Sequence, residues 1–179
     1  MPELTEPEMT EPELTKPEPA ESVRYGVSAS EISSQTVLFV TVDEYLEVAA
    51  AARDDGFDQL IDLTAVDYLS YPGARARPVD VQPERFEVVV QLIDHTSGER
   101  LGLRVQVPAT EPTAPSLFDL WPGCENLERE VFDMFGIEFT EHPDMSRILM
   151  PEDWIGHPLR KDFAVGDVPV QFSEASAPR

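Results

Sequence analysis

One stretch, Glu125 to Pro151, constrains this chain more than any other. Within it Leu127, Val131, Met134 and Phe135 fall at i, i+4, i+7 and i+8, the spacing of a helix with a single buried face. Glu125, Arg129 and Asp133 stand four residues apart, so opposite charges are expected to meet along the outer face of that helix. Gly136 ends it, because glycine enters the left-handed conformation without a Cβ penalty. The residues beyond are rich in turn formers and cannot prolong it, so a capped helix must pack on something and then hand the chain to an irregular segment.

The chain upstream supplies what that helix packs on. Gln35 to Val42 is a short apolar run of strand type, and Thr41-Val42-Asp43-Glu44 reads as a capping box opening a helix to about Asp55. That helix offers Tyr45, Leu46, Ala49, Ala50 and Ala52 for packing, and Gly56 closes it. In Gln59 to Ser70, Ile61, Leu63 and Ala65 alternate as a strand does, with Asp67 the odd residue. Tyr71 to Pro83 is a proline-bearing loop. Phe86, Val88, Val90 and Leu92 then share one strand face while Val89 and Ile93 are apolar on the other, which predicts a central strand covered on both sides. His95 to Glu99 makes a hairpin loop, and Leu101, Leu103, Val105 and Val107 answer inward with Arg100, Arg104 and Gln106 outward, so that face is expected to be wet or to meet a partner. The expected fold is α+β, a two-layer sandwich of a mixed or antiparallel sheet with helices on one face.

With 179 residues the chain is long enough for one core domain plus tails. Residues 2 to 21 repeat a five-residue unit headed by Pro-Glu, with seven Glu against one Lys, and are expected to be a disordered acidic tail. Val23 to Ser34 reads as its continuation. The division is therefore 1–34 tail, 35–136 core, and 137–179 an extended arm. That arm carries apolar groups from Met145 to Met150 and at Trp154, Ile155, Leu159, Phe163, Val165, Val168, Val170 and Phe172 among prolines and glycines, which suits docking on another subunit or folding back on its own sheet. His157-Pro158-Leu159-Arg160-Lys161-Asp162 is the local cluster of positive charge in this part of the chain.

Composition excludes several function classes. A net charge of −22 disfavours nucleic acid and anionic lipid and favours a basic protein partner. The single cysteine, Cys124, cannot form an internal disulfide or supply the thiolates of an iron-sulfur cluster. No apolar run approaches the ~20 residues that span a bilayer, and the acidic, proline-rich start is unlike a signal peptide, so a soluble, cytosol-facing protein is expected. There is no Walker A loop and no G-x-G-x-x-G after a strand.

Candidate chemistry is sparse. Glu128, Glu130 and Asp133 lie close along one helix but have no nucleophile beside them, so they read as a charged, partner-binding face. His95, His142 and His157 with Asp144 or Asp153 would serve as zinc ligands in a free-standing metal-dependent hydrolase; His142 and His157 both precede proline and lack helical i, i+4 pairing. His95 decorates a hairpin, and Cys124 is a packed residue at a helix start.

Two blocks at fixed spacing, ERE-VFDMFGI-EF-x-x-HPD-x-x-RIL-MP and DW-x-GHPLRKDF, carry a family resemblance. Between Trp121 and Phe163 the chain resembles the C subunit, the thirty-kilodalton type, of NADH-quinone oxidoreductase, respiratory complex I. Ser146, Asn126 and Ala164 depart from the pattern, at positions where a basic residue, an aromatic and a proline are usual. The acidic repeat lies outside the family core.

The resemblance implies a structural subunit of the peripheral arm with no catalytic or cofactor site of its own. FMN and iron-sulfur clusters in partner subunits would pass electrons from NADH to quinone, coupled to proton translocation by the membrane arm. Expected partners are the forty-nine-kilodalton-type (D) subunit and neighbouring iron-sulfur subunits, at the cytoplasmic face of the cell membrane. Glu128, Arg129, Glu130, Asp133, His142, Arg147, Trp154, His157, Arg160, Lys161 and Asp162 are its interface and signature residues. The alternative is the equivalent subunit of a membrane-bound hydrogenase or another quinone-reducing complex.

Overall fold

The computed structural model describes residues 22–163 other than Ala74 and Ala76. In chain order the elements are β1 (Ser22–Arg24), β2 (Val27–Ile32), β3 (Gln35–Thr41), α1 (Val42–Asp54), β4 (Gln59–Asp67), β5 (Phe86–Ile93) and β6 (Arg100–Val107). They are followed by β7 (Thr113–Pro115), α2 (Glu125–Phe135) and β8 (Glu138–Thr140). Six strands form one sheet in the order β1-β2-β3-β6-β5-β4; β3 and β6 run parallel and all other neighbours antiparallel. β7 and β8 make a separate parallel pair. This is the α+β sandwich that the alternating apolar runs predict.

Strand register explains which face is buried. Leu38 opposes Leu103, Leu103 opposes Val90, and Val90 opposes Leu63, which lines these side chains up on one face. Tyr45, Val48, Ala49 and Ala52 of α1 and Val131, Met134 and Phe135 of α2 join them in a single core, each large side chain contributing about 1.5–3 kcal/mol by leaving water. α1 begins where the Glu44 carboxylate accepts both the backbone N–H (2.9 Å) and the hydroxyl (2.7 Å) of Thr41. Leu46, expected inside, is exposed; Val48 takes its place. A bulge between Leu60 and Asp62 similarly moves Leu60 inward and leaves Ile61 exposed, which simple alternation cannot anticipate.

Two expected boundaries change. Val23 to Ser34 is not linker but the hairpin strands β1 and β2, turned by Tyr25-Gly26 and Ser33-Ser34, all four with positive φ. The cut at 136/137 also fails, because Ile137 and Phe139 are core residues and β8 is paired with β7. Residues 1–21 and 164–179, with the expectations for the acidic repeat, Ala164, Val165, Val168, Val170 and Phe172, lie outside the described residues.

The face of the sheet away from the helices is not open to water along β6. Glu87 accepts from Arg104 (2.7 Å), Gln106 (2.8 Å) and the Tyr68 hydroxyl (3.2 Å), and the chain between β4 and β5 folds over them, with the Arg75 guanidinium 3.6 Å from the Tyr68 ring centre. Val37, Phe39, Glu87 and Gln106 are buried there. The wet face expected for β6 is thus largely covered by the chain's own loop.

Candidate functional site

The signature helix departs from its sequence reading in one respect that reorganises the site: two of its carboxylates are inside. Glu128 and Asp133 are completely buried, whereas Glu130 stays exposed. The apolar spacing orients the helix as expected; Glu128 flanks that stripe, whereas Asp133 stands on the opposite face and is covered by residues 147–150, which hydrogen-bond to it. The expected outer-face chain from Glu125 through Arg129 to Asp133 does not form. Arg129 donates to the Ser146 carbonyl (3.1 Å), the Ser146 hydroxyl (2.8 Å), the Arg147 carbonyl (3.1 Å) and Asn126 Oδ1 (3.3 Å).

Asp133 holds the start of the arm. Its Oδ2 accepts three successive backbone N–H groups, from Ile148 (3.1 Å), Leu149 (2.8 Å) and Met150 (2.8 Å), while Oδ1 pairs with the Arg147 guanidinium. Burial pushes the Asp133 carboxyl up, but the Met150 N–H, the Arg147 guanidinium and the Leu149 and Ile148 N–H groups outweigh it and hold its pKa below the ordinary value. Arg147 also donates to the Gly156 carbonyl (3.1 Å), which ties the two halves of the arm together.

Glu128 anchors the segment before the helix. It accepts from the Ser116 hydroxyl (2.6 Å), the Leu117 N–H (2.8 Å) and the Cys124 thiol (3.4 Å). Here desolvation wins over these donors and raises the carboxyl pKa. Burial, with Glu128 beside it, also pushes the Cys124 thiol well above its usual range, which disfavours a nucleophilic thiolate.

Of the candidate zinc histidines, His142 and His157 separate. His142, with its side chain fully buried, donates from Nε2 to the Glu125 carbonyl (3.1 Å) and accepts the Asp144 N–H at Nδ1 (3.0 Å), a pattern that fixes the Nε2–H tautomer. His157 instead donates from Nδ1 to the Asp133 carbonyl (3.0 Å). Their anchor carbonyls at Glu125 and Asp133 stand about 12 Å apart along the helix. Each imidazole serves as a strut for the turn that carries it, and among the described residues no set of three metal-ligating side chains converges. Gly136, at φ +71°, leaves room for the His157 ring: a Cβ there would lie 2.6 Å from it.

The end of the described arm, with the signature residues Arg160, Lys161 and Asp162, is clamped to the sheet by Asp67 and Arg85, which the sequence did not single out as a site. Asp67 accepts two bonds from Arg85 (2.9 and 2.7 Å), the Leu69 N–H (2.9 Å) and the Lys161 N–H (2.8 Å). Burial opposes its ionisation, yet Arg85 and the two N–H groups bring its pKa down to about 2. Arg85 reaches Asp162 as well (2.9 Å), and Arg160 lies over the Phe86 ring at 5.0 Å. Trp154 stacks near Phe163, with centroids 6.4 Å apart. The signals of the clamp in the sequence were Asp67, a charge in an apolar strand, and the Arg160-Lys161-Asp162 signature; Arg85 carried none.

Glu128, Arg129, Asp133, His142, Arg147 and His157 therefore spend hydrogen bonds on the chain's own backbone, while Leu149, Ile155 and Leu159 of the arm stay exposed. Residues 38–168 match the family model described as the respiratory-chain NADH dehydrogenase, 30 Kd subunit. The chain belongs to that family. Curated relatives agree: the NADH-quinone oxidoreductase C subunit of Roseiflexus sp. is 43% identical over 150 residues, covering 82% of this chain and 80% of the relative. That of Burkholderia multivorans is 45% identical over 144 residues, covering 78% and 69%. The NADH-quinone oxidoreductase subunit 5 of Thermus thermophilus is 43% identical over 137 residues, and the match spans 74% of this chain but 63% of the relative's length.

Among solved structures, a trypsin-resistant fragment (1–134) of Nqo5 superposes with a TM-score of 0.58 at 35% identity, covering 66% of this chain and 89% of the fragment. A chain of an archaeal membrane-bound sulfane sulfur reductase superposes with a TM-score of 0.64 at 21% identity, covering 86% and 90%, a likeness of fold. In this thirty-kilodalton-type chain no described helix is long and apolar enough to cross a membrane.

Proposed function

We propose that this chain is a structural subunit of the peripheral arm of a proton-translocating NADH-quinone oxidoreductase, working without a catalytic or cofactor site of its own. Its partners are the forty-nine-kilodalton-type (D) subunit and the neighbouring iron-sulfur subunits. FMN and iron-sulfur clusters in those subunits carry electrons from NADH to quinone, and the assembly sits on the cytoplasmic face of the cell membrane. One observation carries this reading: the signature segment builds a rigid scaffold from buried ion pairs while leaving Leu149, Ile155 and Leu159 exposed. A scaffold of this kind orients a surface and supplies no reactive group, since Glu128, Asp133, His142 and His157 are committed to hydrogen-bond partners within the chain. The division into a core and a docking arm belongs to the same proposal, with the arm beginning after β8.

The shared fold with a sulfane sulfur reductase chain keeps a second reading in play, in which the chain serves a related hydrogenase or other quinone-reducing complex. One experiment addresses both. A tagged copy, expressed at native level and purified in mild detergent, is expected to bring down a large assembly containing flavin, iron and NADH-oxidising activity. Recovery of a nickel-bearing assembly without flavin would favour the second reading, and recovery of the chain alone would overturn both.

A further inference from the structure

Resting on the docking role just proposed, the geometry points to a composite docking face: the turn after β4, at Leu69, and the arm form one preassembled surface for another subunit of the complex. The Asp67 carboxylate unites them, since it binds the N–H of Leu69 on one oxygen and that of Lys161 on the other. Leu69 is 39% exposed, Leu159 49%, Leu149 59% and Ile155 90%. None of these owes its exposure to a loose backbone. Leu149 is held by Asp133, Leu159 donates its N–H to the Met134 carbonyl (3.0 Å), and Gly156, next to Ile155, is held by Arg147. Exposed apolar side chains on a fixed backbone lose little entropy on docking, which is what a stable interface requires.

Charge selects the occupant. The chain carries −22 overall, and the exposed Glu152 and Asp153 edge the Ile155 end of this face, yet its Leu69–Leu159 end is bordered by Arg160, paired with Asp162, and by Lys161, whose ammonium group has no salt-bridge partner among the described residues. A second copy would bring the same large negative charge and the same cationic border, and so would be repelled. The face fits a different subunit that offers an apolar surface edged by carboxylates.

The test uses the full chain in its native host, with the resident copy removed. Leu69→Glu and Leu159→Glu are each expected to lower recovery of the assembled complex by at least about tenfold, as for charge placed at an interface centre. The isolated variants should melt within about 2 °C of the Ile61→Glu and Leu46→Glu controls, whose side chains are exposed to a similar degree. Ile61→Glu and Leu46→Glu, equally exposed but elsewhere on the molecule, are expected to assemble normally. Normal assembly of Leu69→Glu alongside failure of Leu159→Glu would remove the β4 turn from the face, overturning the composite surface while sparing the arm. Normal assembly of both would overturn the face altogether. A parent chain that sediments as a dimer and a Leu69→Glu variant that does not would make a second copy the occupant, and would overturn the proposal too. Failure of the docking role itself is separable, because the tagged parent would then recover no partner at all.

Discussion

Replacing Asp133 with Asn tests whether one buried carboxylate organises the arm. The substitution keeps size and shape and removes the charge. Oδ2 now accepts three N–H groups and Oδ1 faces Arg147, so both positions require an acceptor. An Asn side chain has one acceptor oxygen and one NH2 group, and either orientation sets a donor against a donor. Charge-assisted bonds contribute about 1.5–3 kcal/mol each, and removing one partner of a buried pair costs about 3–5 kcal/mol. Because Asn retains one acceptor, the lower end applies, about 3 kcal/mol, which for a chain of this size is a fall of roughly 9 °C in melting temperature. Scanning calorimetry reads that fall, and limited trypsin digestion reads the second consequence, faster cleavage after Arg147. The pH dependence carries a sign as well. The folded-state pKa of Asp133 lies below its ordinary value of 3.8, so its contribution is present above that value and is lost as pH falls through the depressed one. The stability gap between parent and Asp133→Asn should therefore close in acid. An Asp133→Asn protein that melts within about 2 °C of the parent at neutral pH, with Arg147 equally protected, would refute the reasoning.

Three further outcomes follow from the same geometry. Glu128→Gln should be nearly neutral at pH 7, within about 1 kcal/mol, because a neutral form is what burial favours. As the folded pKa of Glu128 is raised, its contribution is present at low pH and lost as pH rises through that value, so urea titrations from pH 4 to 8 should show the parent losing more stability than Glu128→Gln. Asp67→Asn should destabilise at neutral pH and cease to differ from the parent as pH falls from about 4 towards 2, since the folded pKa of about 2 lies below the ordinary one; thermal melts across that range check it. Gly136→Ala should cost about 2 kcal/mol or more in chemical denaturation, from the left-handed backbone and from displacement of the His157 ring, and a melt unchanged to within about 1 °C would contradict it.

Much of this architecture was legible because it is local. The period-two runs in β5 and β6, the capping box at Thr41 and the glycine stop at Gly136 are encoded within a few residues and appear where they are expected. Where local coding was weak the reading slipped. Ser33-Ser34 turns a hairpin without the usual Asn-Gly or Asp-Gly, and the bulge at Leu60 to Asp62 interrupts alternation without a glycine or proline to announce it.

The candidate site divides along the same line. The amino-acid order alone established the helix, its stop, the irregular arm and, through two spaced motifs, the family. It could not say that Glu128 and Asp133 are interior, because a carboxylate is buried only where donors meet it in the fold, and four of those donors are backbone N–H groups that nearly every residue type carries. Tertiary structure alone brought Ile148 to Met150 onto Asp133 and Lys161 onto Asp67, across 94 residues in the second case. A charge in water becomes a structural anchor only when the fold supplies enough donors to replace the water it loses.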